Sequence, residues 1–188
     1  MLAERIGRIT PSATLAMTAK AAELRAVGKP VINLSVGEPD FPTPNNIRLA
    51  GQRAIDEGHT RYTPGGGTME LKKAVVEKLS RDNNLHYDTS QILISCGGKH
   101  SLYNACQALF QTGDEVIIFS PYWVSFPDFV SVTGAKPVFV NTDPLHQFEP
   151  VLDDLKAKIT PLTKGIIINS PSNPTGGVWS DEVVLKVL

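Results

Sequence analysis

Three clusters in the sequence carry residue types suited to an anionic ligand that also bears a ring. The first is Cys96-Gly97-Gly98-Lys99, where a short apolar run gives way to a helical pattern. A glycine turn at a helix N-terminus offers backbone N–H groups and the helix dipole to a phosphate. An ordinary strand-to-helix turn uses the same residues, so this cluster does not decide by itself. The second is Ser120-Pro121-Tyr122-Trp123. An indole at the end of a strand has a face to stack on a ring, although a single Trp is more commonly a packing residue. The third is Asn169-Ser170-Pro171-Ser172-Asn173-Pro174-Thr175-Gly176. Here Asn173 has an amide for a ligand oxygen, and Asn-Pro is equally a turn signal.

Other chemistries are excluded. Gly97-Gly98-Lys99 is not a P-loop, because Leu93 stands where that motif needs its first Gly and His100 where it needs Ser or Thr. No G-x-G-x-x-G occurs. His59, His86, His100 and His146 have no metal-ligand spacing and read as surface or loop residues. Cys96 and Cys106 form neither a disulfide framework nor a CxxC pair, and buried packing is expected of both. The 188 residues carry 18 basic and 19 acidic side chains, which gives no footprint for nucleic acid. No apolar run nears the roughly 18 residues of a membrane span. Glu4 stands where a signal peptide would be basic. A cytoplasmic setting is expected.

The pattern of elements explains how distant clusters would meet. Ser12–Val27 reads as a helix with Leu15, Ala19, Ala22 and Ala26 on its apolar stripe. Three prolines among Pro39, Pro42 and Pro44 mark a loop. Asn45 or Asn46 is expected to cap a helix to about Glu57, with Gly58 as its stop, and Thr68 to cap another that carries Leu71, Val75 and Leu79. Short apolar strands are expected at 91–95, 116–119, 137–140 and 165–169. Helices are expected between them, with Leu102, Ala105, Cys106 and Leu109 on one face, then over Trp123–Val132 and Asp153–Ile159. Continuous apolar strands that alternate with helices imply an α/β fold with a mainly parallel sheet and flanking helices. Ligands bind at the carboxyl ends of such strands, so all three clusters are expected on one rim. Ser180 is expected to cap a last helix that reaches Leu188 without a stop signal, as if the chain ended in mid-helix.

Five motifs in order carry a resemblance: Ser35-Val36-Gly37-Glu38-Pro39-Asp40-Phe41, Arg61-Tyr62-Thr63-Pro64, Gly97-Gly98-Lys99, Ser120-Pro121-Tyr122-Trp123 and Asn173-Pro174-Thr175-Gly176. Over essentially all of its length the chain resembles the N-terminal part of the class I aminotransferases, the aspartate aminotransferase family of fold type I. The likeness is strongest to the bacterial subgroup, some of whose members also accept prephenate. It implies the cofactor pyridoxal 5′-phosphate, with amino acids and 2-oxo acids as substrates and a homodimer as the assembled enzyme. By the same resemblance Gly97, Gly98 and Lys99 form the phosphate turn, Trp123 stacks on the pyridine ring, and Asn173 bonds the phenolic oxygen. Tyr62 reaches the phosphate in the neighbouring subunit. Gly37 lies against the substrate carboxylate, and Trp123 and Asn173 also border the substrate.

Amino transfer further requires a lysine amine for the cofactor's carbonyl, a carboxylate for its ring nitrogen and an arginine fork for the substrate carboxylate. The resemblance places all three after Asn173-Pro174-Thr175-Gly176. Lys99 is at the phosphate turn and Lys164 at the wrong end of a strand, so no catalytic residue is assigned in this chain. The expectation is the first part of a fold type I large domain, truncated, with residues 1–44 an N-terminal arm and small-domain segment and 45–188 an incomplete cofactor-binding domain. Alone it would be inactive. The alternatives are a non-catalytic remnant that binds phosphate or pyridoxal phosphate, a product with no function of its own, or a relative specific for aromatic amino acids, prephenate or alanine or given to elimination. An unpaired sheet edge and uncovered apolar faces predict poor solubility for the isolated chain. Sedimentation should show aggregation as the concentration of the isolated chain is raised, and a chain that stays monomeric throughout would contradict it.

Overall fold

The computed structural model describes residues 2–188. It divides into two compact units, one of Leu102–Leu188 with the N-terminal segment up to Ser12, the other of Ala13–Ser101.

The first unit is built on a buried strand. β1 (Glu115–Ser120) lies between two parallel neighbours, β2 (Lys136–Asp143) and β4 (Thr163–Ile167). The two-residue β3 (Glu149–Pro150) adds antiparallel to β2, giving the order β3-β2-β1-β4. Side chains of a strand alternate between faces. Ile117 and Phe119 therefore pack with Val140, Leu155, Trp179 and Val187 on one side. Val116 and Ile118 pack with Phe126, Val130 and Ala135 on the other. Helices α5 (Phe126–Ser131), α6 (Leu152–Lys158) and α7 (Asp181–Val187) supply much of those layers. The sheet is pinned at its amino end, where Glu115 accepts hydrogen bonds from Lys136 Nζ at 2.9 Å and Thr160 Oγ1 at 2.7 Å.

The second unit holds α1 (Ala13–Ala26), α2 (Asn45–Asp56), α3 (Met69–Asn83) and the start of α4 (Gly98–Leu109). Thr68 caps α3 as expected, its hydroxyl accepting the Leu71 N–H at 3.3 Å. Among the described residues Ala21 is this unit's one buried apolar residue, whereas Ile32 and Leu34 are about nine-tenths exposed.

The parallel α/β plan holds, with local corrections. Residues 91–95 form no strand: Thr89–Gln91 is a 3-10 turn, and Ile92–Ser95 has no ladder partner among the described residues. Only the Ile94 N–H, bonded to Gly66 O at 3.0 Å, is held by another segment. A strand needs a neighbour to bond, and apolarity does not supply one. The expected stripe of α1 faces solvent. Its packed side runs through Thr18, Ala21 and Leu24, with the Thr18 hydroxyl against Ser35 Oγ at 3.3 Å. On α4 Cys106 is buried, but Ala105 and Leu109 are exposed. Helix α5 starts at Phe126 and not Trp123, because Pro127 suits a first turn but in a helix interior would strike the carbonyl of Trp123. Pro44, not an Asn, occupies the cap position of α2, and Asn45 instead accepts from Arg48 at 2.7 Å. Ser180 precedes α7 but its side chain does not cap it. β4 ends at Ile167, and Cys96 is exposed.

Carboxylates account for much of the polar bracing. Bonds from Lys136 and Thr160 hold the Glu115 carboxyl below its ordinary value of 4.5. The Asn141 N–H and then Lys158 lower that of Asp154. A carboxylate with a lowered folded pKa contributes stability that is present above its unfolded value and is lost as pH falls through the folded one. Urea midpoints should therefore hold steady above about pH 5 and fall below it, with Glu115→Gln flattening the acid limb. An unchanged limb in that variant would contradict the assignment.

Candidate functional site

In the first unit the carboxyl ends of β1 and β4 lie side by side, with Ile118 opposite Ile167. The chain leaving β1 carries Pro121, Tyr122 and Trp123. The chain leaving β4 carries Asn169 to Gly177. Two of the three sequence clusters thus share one rim. Each loop contains cis prolyl bonds, at Ser120-Pro121, Ser170-Pro171 and Asn173-Pro174. A narrow recess between them, lined by Pro121, Tyr122, Asn169, Ser172, Asn173 and Trp179, has an accessible volume of about 20 Å³, room for about one water.

The aromatic groups are fixed by one another. Trp123 is half-buried and meets Phe126 edge-on at 5.5 Å and Phe129 at 5.9 Å. Tyr122 stacks on Phe139 of β2 at 4.9 Å with an 18° interplanar angle. The β4 loop is closed by its own polar groups. Asn169 Oδ1 accepts the Asn173 N–H at 2.9 Å, and Asn169 Nδ2 donates to Pro171 O at 3.3 Å. Gly176 N–H donates to Ser172 O at 2.8 Å, and Ser172 N–H to Gly177 O at 2.9 Å. With its backbone so held, Asn173 leaves its side-chain amide exposed at the rim.

Trp179 and Glu149 were not singled out from sequence. Trp179 is buried edge-on against Phe119 at 4.7 Å, and its Nε1–H donates to Phe148 O at 2.9 Å. Its one signal was a second indole just beyond the Asn173 motif. Glu149 accepts from Ser180 N–H at 2.9 Å and Ser180 Oγ at 2.7 Å, and those two bonds hold its carboxyl below the ordinary range. Asp143 is likewise lowered, first by His146 at 2.6 Å and then by the Leu145 N–H.

The remaining candidates belong to the second unit. Gly97 has φ +84°, a left-handed conformation that glycine adopts without strain. It turns the chain into α4. Its carbonyl accepts the His100 N–H at 3.1 Å, and Cys96 N–H donates to His100 Nδ1 at 3.1 Å. A Cβ at Gly97 or Gly98 would meet nothing within 4 Å, so this face is open to an anion, and Lys99 follows in the first helical turn. Tyr62 is fully exposed in its loop. Gly37 has open space where a Cβ would stand and no left-handed φ.

The first unit thus presents an ordered indole and an exposed amide at the carboxyl ends of adjacent strands, and the second unit presents an open glycine turn at a helix start. The fold and rim define an α/β domain with a mostly parallel sheet and loops gathered at the carboxyl ends of its strands. Residues 29–188 match the family model "Aminotransferase class I and II". The chain is 51% identical over 181 residues to aspartate aminotransferase of Bacillus subtilis, covering 96% of this chain and 46% of that protein. It is 49% identical to aspartate/prephenate aminotransferase of Nitrosomonas europaea, with the same coverage. The aspartate aminotransferase structure of Thermus thermophilus with maleate superposes with a TM-score of 0.95 at 43% identity, over all of this chain and 49% of that one. The chain belongs to the class I and II aminotransferase family. It spans about half the length of the relatives it matches. Class I aminotransferases use pyridoxal 5′-phosphate.

Trp179→Phe would keep the ring packing and lose the bond to Phe148 O. It is expected to lower stability by about 1 kcal/mol, read from urea midpoints, and an unchanged midpoint would contradict a stabilising role for that bond.

Proposed function

We propose that this chain is the cofactor-anchoring part of an enzyme that transfers an amino group between an amino acid, aspartate preferred, and a 2-oxo acid. The observation that carries the reading is the pairing of Trp123 and Asn173 loops on adjacent carboxyl ends of one parallel sheet, joined to identity near half with aspartate aminotransferases. When bound, pyridoxal 5′-phosphate supplies an electron-accepting ring that stabilises charge at the substrate's α-carbon.

In this reading Gly97, Gly98 and Lys99 hold the phosphate through backbone N–H groups and the α4 dipole. Trp123 offers its indole to the ring and helps exclude water from it. Asn173 donates its amide N–H to the phenolic oxygen. Gly37 leaves room for the substrate carboxylate, and exposed Tyr62 is available to a second subunit's phosphate in a homodimer. Residues 1–44 are the arm and small-domain segment of the assembled enzyme, and 45–188 belong to its large domain, in a cytoplasmic protein. No residue of this chain is assigned the covalent role. The loops on the rim, 120–125, 141–150 and 168–180, contain no lysine.

Equilibrium dialysis of the folded chain should show saturable binding of pyridoxal 5′-phosphate that inorganic phosphate competes away. Asn173→Ala should weaken it by about tenfold, as for a lost hydrogen bond to a charged group. Borohydride should fix no pyridoxyl label on any lysine. Absence of binding would sink the anchoring role, and a labelled lysine would sink the claim that the nucleophile lies elsewhere.

A further inference from the structure

The loop that bears Asn173 is closed by its own polar groups, with Ser170 Oγ accepting the Trp179 N–H at 2.9 Å, and its far end is also tied to the hairpin beside it. β2 and β3 pair antiparallel, with Asp143 opposite Glu149, and turn through Pro144–His146. Three contacts run from this hairpin to the chain beyond Asn173. Gln147 O lies so close to Gly177 that a Cβ there would overlap it. Phe148 O accepts from Trp179 Nε1 at 2.9 Å. Glu149 Oε1 accepts both the backbone N–H and the hydroxyl of Ser180, at 2.9 and 2.7 Å.

We infer that Glu149 is a positioning residue, whose carboxylate fixes Ser180 and so the far end of the 170–180 loop that presents Asn173 at the rim. The inference rests on the proposed role of Asn173. The Gln147 and Trp179 contacts are packing that any folded loop needs, whereas Glu149 spends a half-buried charge on two donors of one residue. Bonds to an ionised acceptor are roughly twice as strong as neutral ones. His146, itself paired to Asp143, and Lys186 of α7 both favour the ionised form. Both bonds end on the same oxygen, so a Gln at this position keeps the geometry and loses only the charge.

Amide hydrogen exchange of the purified chain tests this. Glu149→Ala should raise exchange at residues 177–180 by roughly tenfold while leaving β1 unchanged, and Glu149→Gln should return it to within about threefold of wild type. Exchange unaffected by the Ala variant, or raised equally by Gln, overturns the inference. Should Glu149→Ala loosen the whole unit, Ser180→Ala removes one donor and must still raise exchange at the same residues; no rise there overturns it too. The reading beneath it fails separately. If Asn173→Ala binds pyridoxal 5′-phosphate as tightly as wild type in dialysis, Asn173 loses its role whatever the exchange shows at Glu149.

Discussion

A strand buried on both faces must be hydrogen-bonded along both edges, because a buried backbone N–H or C=O without a partner costs more than a typical bond contributes. β1 meets that requirement. Residues 115–119 are all buried, and the strand is paired by β2 on one side and β4 on the other. Its alternating side chains feed two cores at once. The bulge at Lys164, skipped in the register between Thr163 and Gly165, leaves this pairing intact over Val116–Ile118.

The placement of the rim follows from the same strand. Parallel neighbours end on the same side, so the chain leaving β1 and the chain leaving β4 emerge together there. Aromatic packing orders the first, through Phe126, Phe129 and Phe139. Polar closure orders the second, through Asn169, Ser172 and the hairpin that ends in Glu149. Two different devices thus preorganise two different groups, an indole whose position needs packing and an amide whose position needs its backbone held. Preorganised groups lose less freedom when a ligand arrives.

Much of this was legible in sequence, and the failures have physical causes. Uninterrupted apolar runs such as Val116-Ile117-Ile118-Phe119 report burial on both faces, and the sheet bears that out. Gln91–Ser95 has the same local signal but no neighbour, since hydrogen-bond partners are a property of the fold and not of the run. The stripe on α1 was misplaced because a small-residue helix such as Ala13–Ala26 has almost no apolar contrast between its faces. Glu149 and Trp179 escaped notice because their roles depend on contacts 31 residues apart in sequence. By contrast the Thr68 cap, the Gly97 turn and the loop at Asn173-Pro174 are short-range devices, whose bonds from Thr68, Cys96, Gly97, Asn169 and Ser172 join residues no more than five positions apart. Local chemistry was therefore easier to read than the long-range contacts that aim it.

The distribution of lysines completes the reasoning about division of labour in the proposed enzyme. In the first unit Lys136 and Lys164 sit at the amino ends of their strands, with Lys136 engaged by Glu115. Lys156 and Lys158 lie on α6, where Lys158 bonds Asp154 and Phe139 O, and Lys186 lies on α7 bonded to Glu182. A strand rises about 3.3 Å per residue, so the five residues from Lys164 to Asn169 span about 16 Å, farther than a lysine side chain extends. Moving an amine to the rim would also break the bond of Lys136 to Glu115 or of Lys158 to Asp154. The sheet thus keeps its lysines where they brace its amino end and α-helical flanks, and leaves the rim to neutral donors and aromatic faces. In the proposed reading such a surface holds a phosphorylated ring, and no lysine of the first unit stands at this rim to react with it.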